Sequence, residues 1–323
     1  MTGFQAKADE HYIEGIDLGA IPGLPGRDAF RVEATEPSAI PILVAAPHAG
    51  RAYSPQLLDS MRNPGLTCHR LEDRLVDVVA TRLARQTGAA LIVADAPRAL
   101  IDLNRDCNDI DWSMIAGGRG DSQAPDTPEG GRAIGGLGLV PRRLGGVGEI
   151  WKARLNRSEL LARIDRVHRP YHRALGQVLQ RMKRRWGQAL LLDIHSMPPL
   201  PGTRNGRGAD IVLGDRFGAS CSGALVASAF DYFSQVGLRA TYNRPYAGGF
   251  VLNQHGNPTG NIHALQIEIC RSLYLDSHLV DLTGQADCLV SQLSGLVDLL
   301  SHSLAGLNSS KTECQSEWQQ AAE

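Results

Sequence analysis

The chain has 323 residues, with 33 basic and 34 acidic side chains and a formal net charge of −1. This balance lacks the positive field that typifies nucleic-acid-binding and membrane-surface proteins, so neither partner is expected. No apolar run approaches the ~20 residues of a membrane helix, and the N-terminus lacks a signal-peptide pattern. The 6 cysteines form no CxxC pair, which favours the reducing cytoplasm as the location.

Short apolar runs alternate with helical patterns along most of the chain. Strands are predicted at residues 41–46, 89–94, 99–103, 189–194, 209–214, 237–242 and 263–269. Helices are predicted at residues 70–87, 158–186, 219–235 and 280–305. Pro170 is expected to kink the second of these helices. The alternation indicates an α/β fold with a mostly parallel sheet covered on both faces.

The domain organisation follows from composition. Residues 1–38 mix glycine, proline and charge, which predicts an irregular entry segment. Residues 39–307 contain no linker that separates two cores, so a single α/β domain is expected there. The polar tail, 308–323, is predicted to be frayed. A glycine-rich stretch at 106–150 predicts a long loop, and loops of this length in a compact domain are usually functional or disordered.

Two histidines follow predicted buried strands, at the edge where sites gather in parallel sheets. His48 comes after PILVAAP, and His195 comes after ALLLDI. Two imidazoles with a carboxylate form the ligand set of hydrolytic zinc sites. Glu72 and Asp73, at the start of a predicted helix, offer that carboxylate. The alternatives are hydrogen-bonded structural histidines and an acidic pair that compensates the helix dipole.

Glu268 lies in the alternating strand HALQIEI, on the face opposite His263. A carboxylate on a buried strand is costly unless it is paired or functional. It is therefore a candidate general base for a hydrolytic reaction. An exposed edge strand, or a salt bridge with Arg271, would explain it equally well.

Three arginines and an asparagine form a further group. Arg105 closes the run IDLNR beside Asn104, and Arg98 precedes that run. Arg244 lies in NRPYAGGF, where two glycines allow close backbone approach. Guanidinium groups bind carboxylates in a bidentate manner and stabilise developing oxyanions. Solvated arginines are the simpler alternative.

Other motifs carry less weight. His168 and His172 have the i, i+4 spacing of a helical metal pair, but they flank a proline and have no HExxH glutamate nearby. The sequence contains no GxxxxGK[ST] phosphate loop and no GxSxG elbow, which argues against nucleotide binding and serine hydrolysis. Cys68 and Cys107 have no assignable base and are interpreted as inert.

Eight motifs in a fixed order resemble the N-formylglutamate amidohydrolase family. They are PHAGRAY, the acidic ED before VD, PRALIDLNRD, HRPYH, DIHSMP, ADIVLGDRFGASC, NRPYAGGF and HALQIEICRSLYLD. Each motif alone is modest evidence, but their joint order is specific. The resemblance spans about residues 40–277. The sequence departs from common family forms at GGFVLNQHG, where GGY is more usual.

The resemblance implies a fold like that of the zinc carboxypeptidases and aspartoacylases, a three-layer α/β/α sandwich with a mixed, mostly parallel sheet and one zinc ion. The implied metal ligands are His48, Asp73 and His195. Asp73 is favoured because the family usually keeps an aspartate in that column. Glu72 stays open because the carboxypeptidase-like ligand is a glutamate.

The same resemblance assigns roles to the remaining candidates. Glu268 resembles the catalytic strand glutamate, and Arg98 resembles an arginine that polarises the carbonyl. Asn104 and Arg105 resemble the pair that holds a substrate carboxylate, and Arg244 is similar to an additional carboxylate clamp.

The implied activity is zinc-dependent hydrolysis of N-formyl-L-glutamate to L-glutamate and formate, as in histidine degradation. The small-molecule partner would be an N-acyl amino acid, and the sequence leaves the oligomeric state open. One alternative is a related metal-dependent deacylase of another N-acyl amino acid or a short peptide. A second alternative is a non-catalytic binding protein on the same scaffold.

Overall fold

The computed structural model describes residues 15–34, 38–119, 131–202 and 207–320, and the side chains of these residues as far as 307. The strands of this part are β1 (Phe30–Glu33), β2 (Ile42–Ala46), β3 (Ala90–Ala94), β4 (Arg143–Leu144), β5 (Gly148–Glu149), β6 (Ala189–Met197), β7 (Ile211–Gly214), β8 (Ala240–Tyr242) and β9 (Ile262–Cys270). The helices are α1 (Pro55–Ser60), α2 (Pro64–Leu71), α3 (Val76–Thr87), α4 (Arg157–Arg163), α5 (Arg169–Trp186), α6 (Gly223–Gln235), α7 (Phe250–His255) and α8 (Gln285–Gln320).

Seven strands form one mixed sheet in the order β1-β3-β2-β6-β9-β7-β8. The four central strands, β3, β2, β6 and β9, are parallel to one another. The outer strand β1 is antiparallel to β3, and β7 is antiparallel to β9. The α/β fold with a mostly parallel sheet is therefore confirmed. The carboxyl ends of β2, β6 and β9 meet at the same edge of the sheet.

Helices cover both faces of this sheet and make three layers. On one face, the apolar side chains of the sheet pack in a core with those of α3, α6 and α8. On the other face, they pack in a second core with α5 and α7. The side chains of β2 point alternately into the two cores, so that Val44 packs in the first and Leu43 in the second. This double burial explains why the strands appear in the sequence as unbroken apolar runs.

Helix α8 is longer and more apolar than the sequence analysis expected. Its segment Gln285–Leu307 is long and apolar enough to cross a membrane, by length and composition. In the fold, Leu293, Leu296 and Val297 are buried, and the helix packs against α3 and α6. This placement is that of a core helix.

The predicted helix at 70–87 is wrong as a single element. It is broken between α2 and α3, where Leu75 adopts a left-handed conformation with φ of 56°. No glycine or proline marks the break, so the helical spacing continues through it. The break leaves Glu72 and Asp73 in non-helical chain, at the sheet edge that carries the candidate site.

The predicted strand at 99–103 is also wrong. These buried residues form turns and extended chain without a strand partner among the described residues. The peptide N–H of Asp102 bonds instead to the carbonyl of Leu139, from the long loop. The apolar character came from burial under that loop, which includes the short ribbon β4–β5. Part of the loop, residues 120–130, lies outside the described residues.

The predicted helix at 158–186 is interrupted before Pro170. A π-helical turn, Ile164–His168, separates α4 from α5. Proline cannot donate to the helical ladder, and the extra residue of the π-turn takes up the disruption.

The two terminal segments are more regular than expected. Strand β1 lies within the entry segment predicted to be irregular, because Phe30 is fully buried and its strand pairs with β3. Helix α8 continues through Gln320, into the tail predicted to be frayed. Residues 308–320 contain no glycine or proline to end it.

Candidate metal centre

His48, Asp73 and His195 come together at the carboxyl edge of the sheet. One potential ligand atom from each lies within 4.8 Å of the others, and all three residues are buried. Asp73 Oδ2 is 3.0 Å from His195 Nδ1 and 3.7 Å from His48 Nδ1. The sequence analysis predicted these three as metal ligands, and the structure brings them together.

Each member of this set is positioned by the sheet. His48 follows β2, and His195 lies within β6, two residues before the strand ends. The peptide N–H of Asp73 donates to the carbonyl of His48 at 3.0 Å, which ties the helix break to the end of β2. Three segments distant in sequence are thereby held at one point.

Glu72, the alternative carboxylate, has other partners. It accepts a hydrogen bond from the Tyr53 hydroxyl at 3.0 Å and pairs with Arg74 at 3.1 Å. The acidic residue that joins the two histidines is therefore Asp73.

Two further carboxylates contact the Nε2 atoms of the two histidines, whose Nδ1 atoms are the ones near Asp73. His48 Nε2 is 2.7 Å from Asp102 Oδ1, and His195 Nε2 is 2.9 Å from Asp193 Oδ2. Such carboxylate–histidine pairs fix the ring orientation and tautomer of metal ligands. The sequence analysis missed both aspartates. Asp193 carried a signal, since it lies two residues before His195 and hence on the same face of the strand.

The surroundings of His48 Nδ1, the nitrogen on the side of Asp73, show whether these residues fit a metal. His48 Nδ1 is buried and has no hydrogen-bond partner among the described residues. An unpaired buried nitrogen is costly, and it lies beside the Asp73 carboxylate. Two imidazole nitrogens and one carboxylate oxygen are ligands that zinc accepts, with room for a further ligand. The residues present therefore fit one divalent ion.

Arg271 anchors the other side of the Asp73 carboxylate. Its Nη2 lies 3.5 Å from Asp73 Oδ1 and donates to the carbonyl of Glu72, while Nε donates to Ser196 Oγ at 3.0 Å. Burial disfavours the charge on Asp73, but the hydrogen bond from His195 and the electrostatic effect of nearby His48 hold its pKa below the usual range. A salt bridge between Arg271 and Glu268, considered from the sequence, is not among the contacts of the described residues.

Glu268 lies on β9, a central strand, so the edge-strand alternative is wrong. In the sheet register it is directly opposite His195. Its Oε1 accepts a hydrogen bond from Gln266 Nε2 at 2.9 Å. Burial raises the pKa of Glu268 to about 7, and the negative charge of Asp73 adds to this effect against the opposing charge of His195. A carboxyl group with such a pKa can exchange a proton near neutral pH.

Asn104 lies next to the three candidate metal ligands. Its Nδ2 is 3.4 Å from His195 Nε2 and donates to Gln266 Oε1 at 3.3 Å. Its Oδ1 accepts from the N–H of Val251, at the start of α7, at 2.9 Å. A Cβ atom on Gly249 would lie 2.4 Å from this oxygen, so only glycine permits the contact.

Arg98 and Arg105 lie on either side of the Asp102–Asn104 turn. Arg98 Nε donates to Asp102 Oδ2 at 2.9 Å. Arg105 donates through Nε to the Leu137 carbonyl at 2.9 Å and through Nη1 to the Asn104 carbonyl at 2.8 Å. Among the described residues, its Nη2 has no hydrogen-bond acceptor. Burial lowers the pKa of Arg105, and the charge of Arg98 contributes to this shift, so two cations lie close together.

Arg244 is the predicted residue with the weakest structural link to this group. It is exposed and follows β8. In the described part of the chain, its guanidinium forms no hydrogen bond or ion pair with the other candidate residues.

Tyr246 is a residue near the site that the sequence analysis missed. Its ring packs against Met197, Val212 and Cys270, at the site end of the sheet. Burial raises the pKa of its hydroxyl, and the charge of Glu268 contributes to that rise. Its place depends on the fold of the 244–250 loop, so no local sequence signal marked it.

The HRPYH motif has a different role from metal binding. His168 Nε2 is 2.8 Å from the carbonyl of Arg105, and His172 Nε2 is 2.9 Å from the carbonyl of Leu103. Both histidines on this part of the helix therefore hold the backbone that carries Asn104. Burial lowers the pKa values of both rings, which keeps them neutral.

Comparison with known sequences identifies relatives of one kind. Residues 40–275 match the N-formylglutamate amidohydrolase family. The N-formylglutamate deformylase of Pseudomonas aeruginosa is 30% identical over 252 residues, covering 73% of this chain and 83% of that protein. The N-formylglutamate deformylase of Pseudomonas putida is 29% identical over 239 residues, covering 73% and 82%.

Comparison with solved structures agrees. The crystal structure of an N-formylglutamate amidohydrolase from Ralstonia eutropha superposes with a TM-score of 0.75 at 29% identity, covering 85% of this chain and 98% of that chain. A gene product of Agrobacterium tumefaciens, at 17% identity and a TM-score of 0.60, shares the fold over 87% of this chain and 96% of its own. From the matched residues and this shared architecture, the chain belongs to the N-formylglutamate amidohydrolase family.

Proposed function

We propose that the protein hydrolyses the formamide bond of N-formyl-L-glutamate and yields L-glutamate and formate. The observation that carries this proposal is the buried set of His48, Asp73 and His195 with Glu268 directly across the sheet from His195. The names of the relatives supply the substrate.

Zinc is the metal that we propose for this site, because two imidazoles and one carboxylate form the common ligand set of hydrolytic zinc enzymes. When bound there, the ion would supply a Lewis acid that polarises the scissile carbonyl and lowers the pKa of water. His48 Nδ1, Asp73 and His195 Nδ1 would hold it, while Asp102 and Asp193 orient the two rings.

Glu268 would move the proton. It takes a proton from the attacking water as the water oxygen bonds to the formyl carbon. It then delivers that proton to the nitrogen as the C–N bond breaks, so that formate and glutamate leave. The guanidinium of Arg98, held by Asp102, would balance the negative charge that develops on the carbonyl oxygen.

The carboxylates of the substrate would meet the Asn104–Arg105 segment. Arg105 Nη2 is available for a carboxylate, since its other nitrogens are bonded to backbone carbonyls. Asn104 fixes the segment beside His195. Arg244, which is exposed, is proposed as a second carboxylate clamp.

We infer a relation to the zinc carboxypeptidases and aspartoacylases from the placement of the ligand set at the carboxyl edge of a mixed sheet. We also propose a single catalytic domain over 39–307, a cytoplasmic location, and a place in histidine degradation. The free cysteines of the described part, Cys68, Cys107, Cys221, Cys270 and Cys288, are consistent with a reducing compartment.

The decisive experiment is release of formate from N-formyl-L-glutamate by metal-loaded protein, with and without a chelator. N-acetyl-L-glutamate and N-formyl-L-aspartate are the comparison substrates. We expect turnover of the formylglutamate, its loss with the chelator, and its recovery on adding zinc. Preferential turnover of the acetyl compound would favour the related deacylase. Absence of turnover of any acyl amino acid would favour the binding protein and overturn the proposal.

A further inference from the structure

Glu268 lies at the centre of a group of side chains that project from one face of the sheet. Its partners in the sheet register are His195 on β6 and Val212 on β7, one on each side. Along β9, Gln266 and Cys270 project from the same face, because side chains alternate along a strand. Glu268 therefore has polar neighbours on two sides and apolar neighbours on the other two.

The apolar neighbours of Glu268 belong to a small buried cluster that carries an aromatic ring. This cluster consists of Met197, Val212 and Cys270, and Tyr246 packs against it. Met197 lies opposite Cys270 in the register, so all three cluster residues are on the same face of the sheet as Glu268. The ring of Tyr246 is thus one side chain away from Glu268. Burial raises the pKa of the Tyr246 hydroxyl, and the charge of Glu268 adds to this rise, which is consistent with a phenol close to that carboxylate.

The loop that carries Tyr246 is fixed by close backbone contacts. The N–H of Arg216 donates to the carbonyl of Ala247 at 2.7 Å. A Cβ atom on Gly214, in β7, would lie 2.8 Å from the carbonyl carbon of Ala247, so a side chain there would displace the loop. Tyr246 immediately precedes Ala247, and its ring therefore has a defined position above the cluster.

The two ends of the substrate are expected on opposite sides of Glu268. On one side along β9, Gln266 Oε1 accepts from Asn104 Nδ2 at 3.3 Å. On the other side, Tyr246 packs against the cluster that contains Cys270. The proposed function places the substrate carboxylates on the side of Asn104. An amide carries the amino acid on one side of its carbonyl carbon and the acyl substituent on the other, so the acyl substituent would point towards Tyr246.

We propose that Tyr246 is a specificity-determining residue that limits the acyl group of the substrate to formyl. This inference rests on the proposed function. The ring, supported by Val212 and Cys270, bounds the space next to Glu268, and a larger acyl group would have to displace it. Closely packed sites accommodate added methyl groups at a cost. Discrimination of one such group by a pocket is about 10- to 200-fold.

The test compares hydrolysis of N-formyl-, N-acetyl- and N-propionyl-L-glutamate by the full-length, metal-loaded protein. Release of glutamate, expressed per bound zinc, gives kcat/KM for each compound. Tyr246→Ala removes the ring, and Tyr246→Phe keeps the ring but removes the hydroxyl. Tyr242→Ala is the matched control. Tyr242 is an exposed tyrosine at the end of β8, and its ring contacts Phe230.

We expect the wild type to prefer the formyl compound. In Tyr246→Ala, kcat/KM for the acetyl compound should rise about tenfold or more relative to that for the formyl compound, because the methyl group gains room. The propionyl compound should follow the acetyl compound. Tyr246→Phe and Tyr242→Ala should keep the wild-type ratio. If Tyr246→Ala does not fold, Tyr246→Leu gives the same comparison, since leucine keeps an apolar contact with the cluster but is smaller than the ring.

Several results would overturn this inference while the deformylase activity stands. A wild type without preference for the formyl compound, or an unchanged ratio in Tyr246→Ala, would show that the ring does not limit the acyl group. An equal change in Tyr246→Phe would assign the effect to the hydroxyl. An equal change in Tyr242→Ala would assign it to a general disturbance of the loop. Turnover of none of the three compounds by the wild type would instead overturn the proposed function, and this inference with it.

Discussion

His48 and Asp102 are joined by a contact of 2.7 Å between Nε2 and Oδ1, and both side chains are buried. Asp102 also accepts from Arg98 through its second oxygen and from the Asn104 N–H through its first. One carboxylate therefore links a histidine proposed as a metal ligand to two groups proposed to act on the substrate. Burial disfavours its charge, but Arg98 and His48 hold the pKa of Asp102 well below its usual range, so it stays ionised.

Replacement of this carboxylate should weaken metal binding. We expect Asp102→Asn to lower the zinc affinity by about 10- to 100-fold, because the ring of His48 loses its orienting acceptor. Competition with a chromophoric chelator measures the affinity. Asp111→Asn is the control, since Asp111 pairs with Arg142 and not with any of the candidate metal ligands. An unchanged affinity in the Asp102 variant would show that the contact does not position His48.

Replacements of the neighbouring acids Asp73 and Glu72 should have different effects on zinc binding. Asp73→Ala should abolish stoichiometric zinc binding, because it removes a ligand between the two histidines. Glu72→Ala should retain zinc, because Glu72 contacts Tyr53 and Arg74 instead. Metal analysis after dialysis distinguishes the two variants. Loss of zinc from the Glu72 variant, with zinc kept by the Asp73 variant, would reverse the assignment.

Removal of the proposed base should affect turnover and not metal content. Glu268→Gln keeps the size of the side chain and the contact to Gln266 but cannot accept the proton. We expect retained zinc and a kcat lowered by about 10²- to 10⁴-fold. Formate release and metal analysis on the same sample are the measurements. Activity equal to wild type would refute the role of Glu268 as base.

His168 should matter for substrate affinity. His168→Leu leaves the carbonyl of Arg105 without its partner, at a cost of about 1–3 kcal/mol in stability. Since Arg105 is proposed to bind a substrate carboxylate, we expect a higher KM with zinc content preserved. His168→Gln, which keeps an N–H donor, should recover part of the effect. His302→Leu, at an exposed position on α8, is the control. A KM unchanged in the leucine variant would contradict this role.

Acid should destabilise the folded protein through His255, whose ring stacks on that of His172. Burial lowers the pKa of His255 to about 4, and the neighbouring His168 adds to this shift. The unfolded chain therefore takes up a proton near pH 6.5, before the folded protein does. The free energy of unfolding should decrease as the pH falls from about 6.5 towards 4. Urea unfolding at several pH values measures this slope, and His255→Gln should make it shallower. An identical slope in the variant would assign the acid sensitivity to other groups.

The parts of the fold and site that the sequence predicted have local signals. Buried strands appear as apolar runs, so β2, β3, β6 and β9 were located, and with them His48, His195 and Glu268. The helix at 70–87 is misjudged because Leu75, which adopts the left-handed conformation at the break, is not a residue type that marks a helix end, and no glycine or proline lies beside it.

The remaining site residues depend on long-range packing. Arg271 donates to the carbonyl of Glu72, 199 residues away in the sequence, and no spacing predicts that contact. Tyr246 reaches the site only through the path of its loop. Asp102 was hidden within a run that resembled a strand, because burial under the long loop gives the same apolar pattern as pairing in a sheet.

The three proposed ligands come from chain segments far apart, since Asp73 and His195 are separated by 122 positions in the sequence. The site exists only after β2, β6 and the helix break have met, so an unfolded chain offers no comparable chelate. Metal binding would therefore stabilise the native state alone. In a cell starved of the ion the protein would be less stable and degraded sooner, so the shortage would lower its abundance as well as its activity.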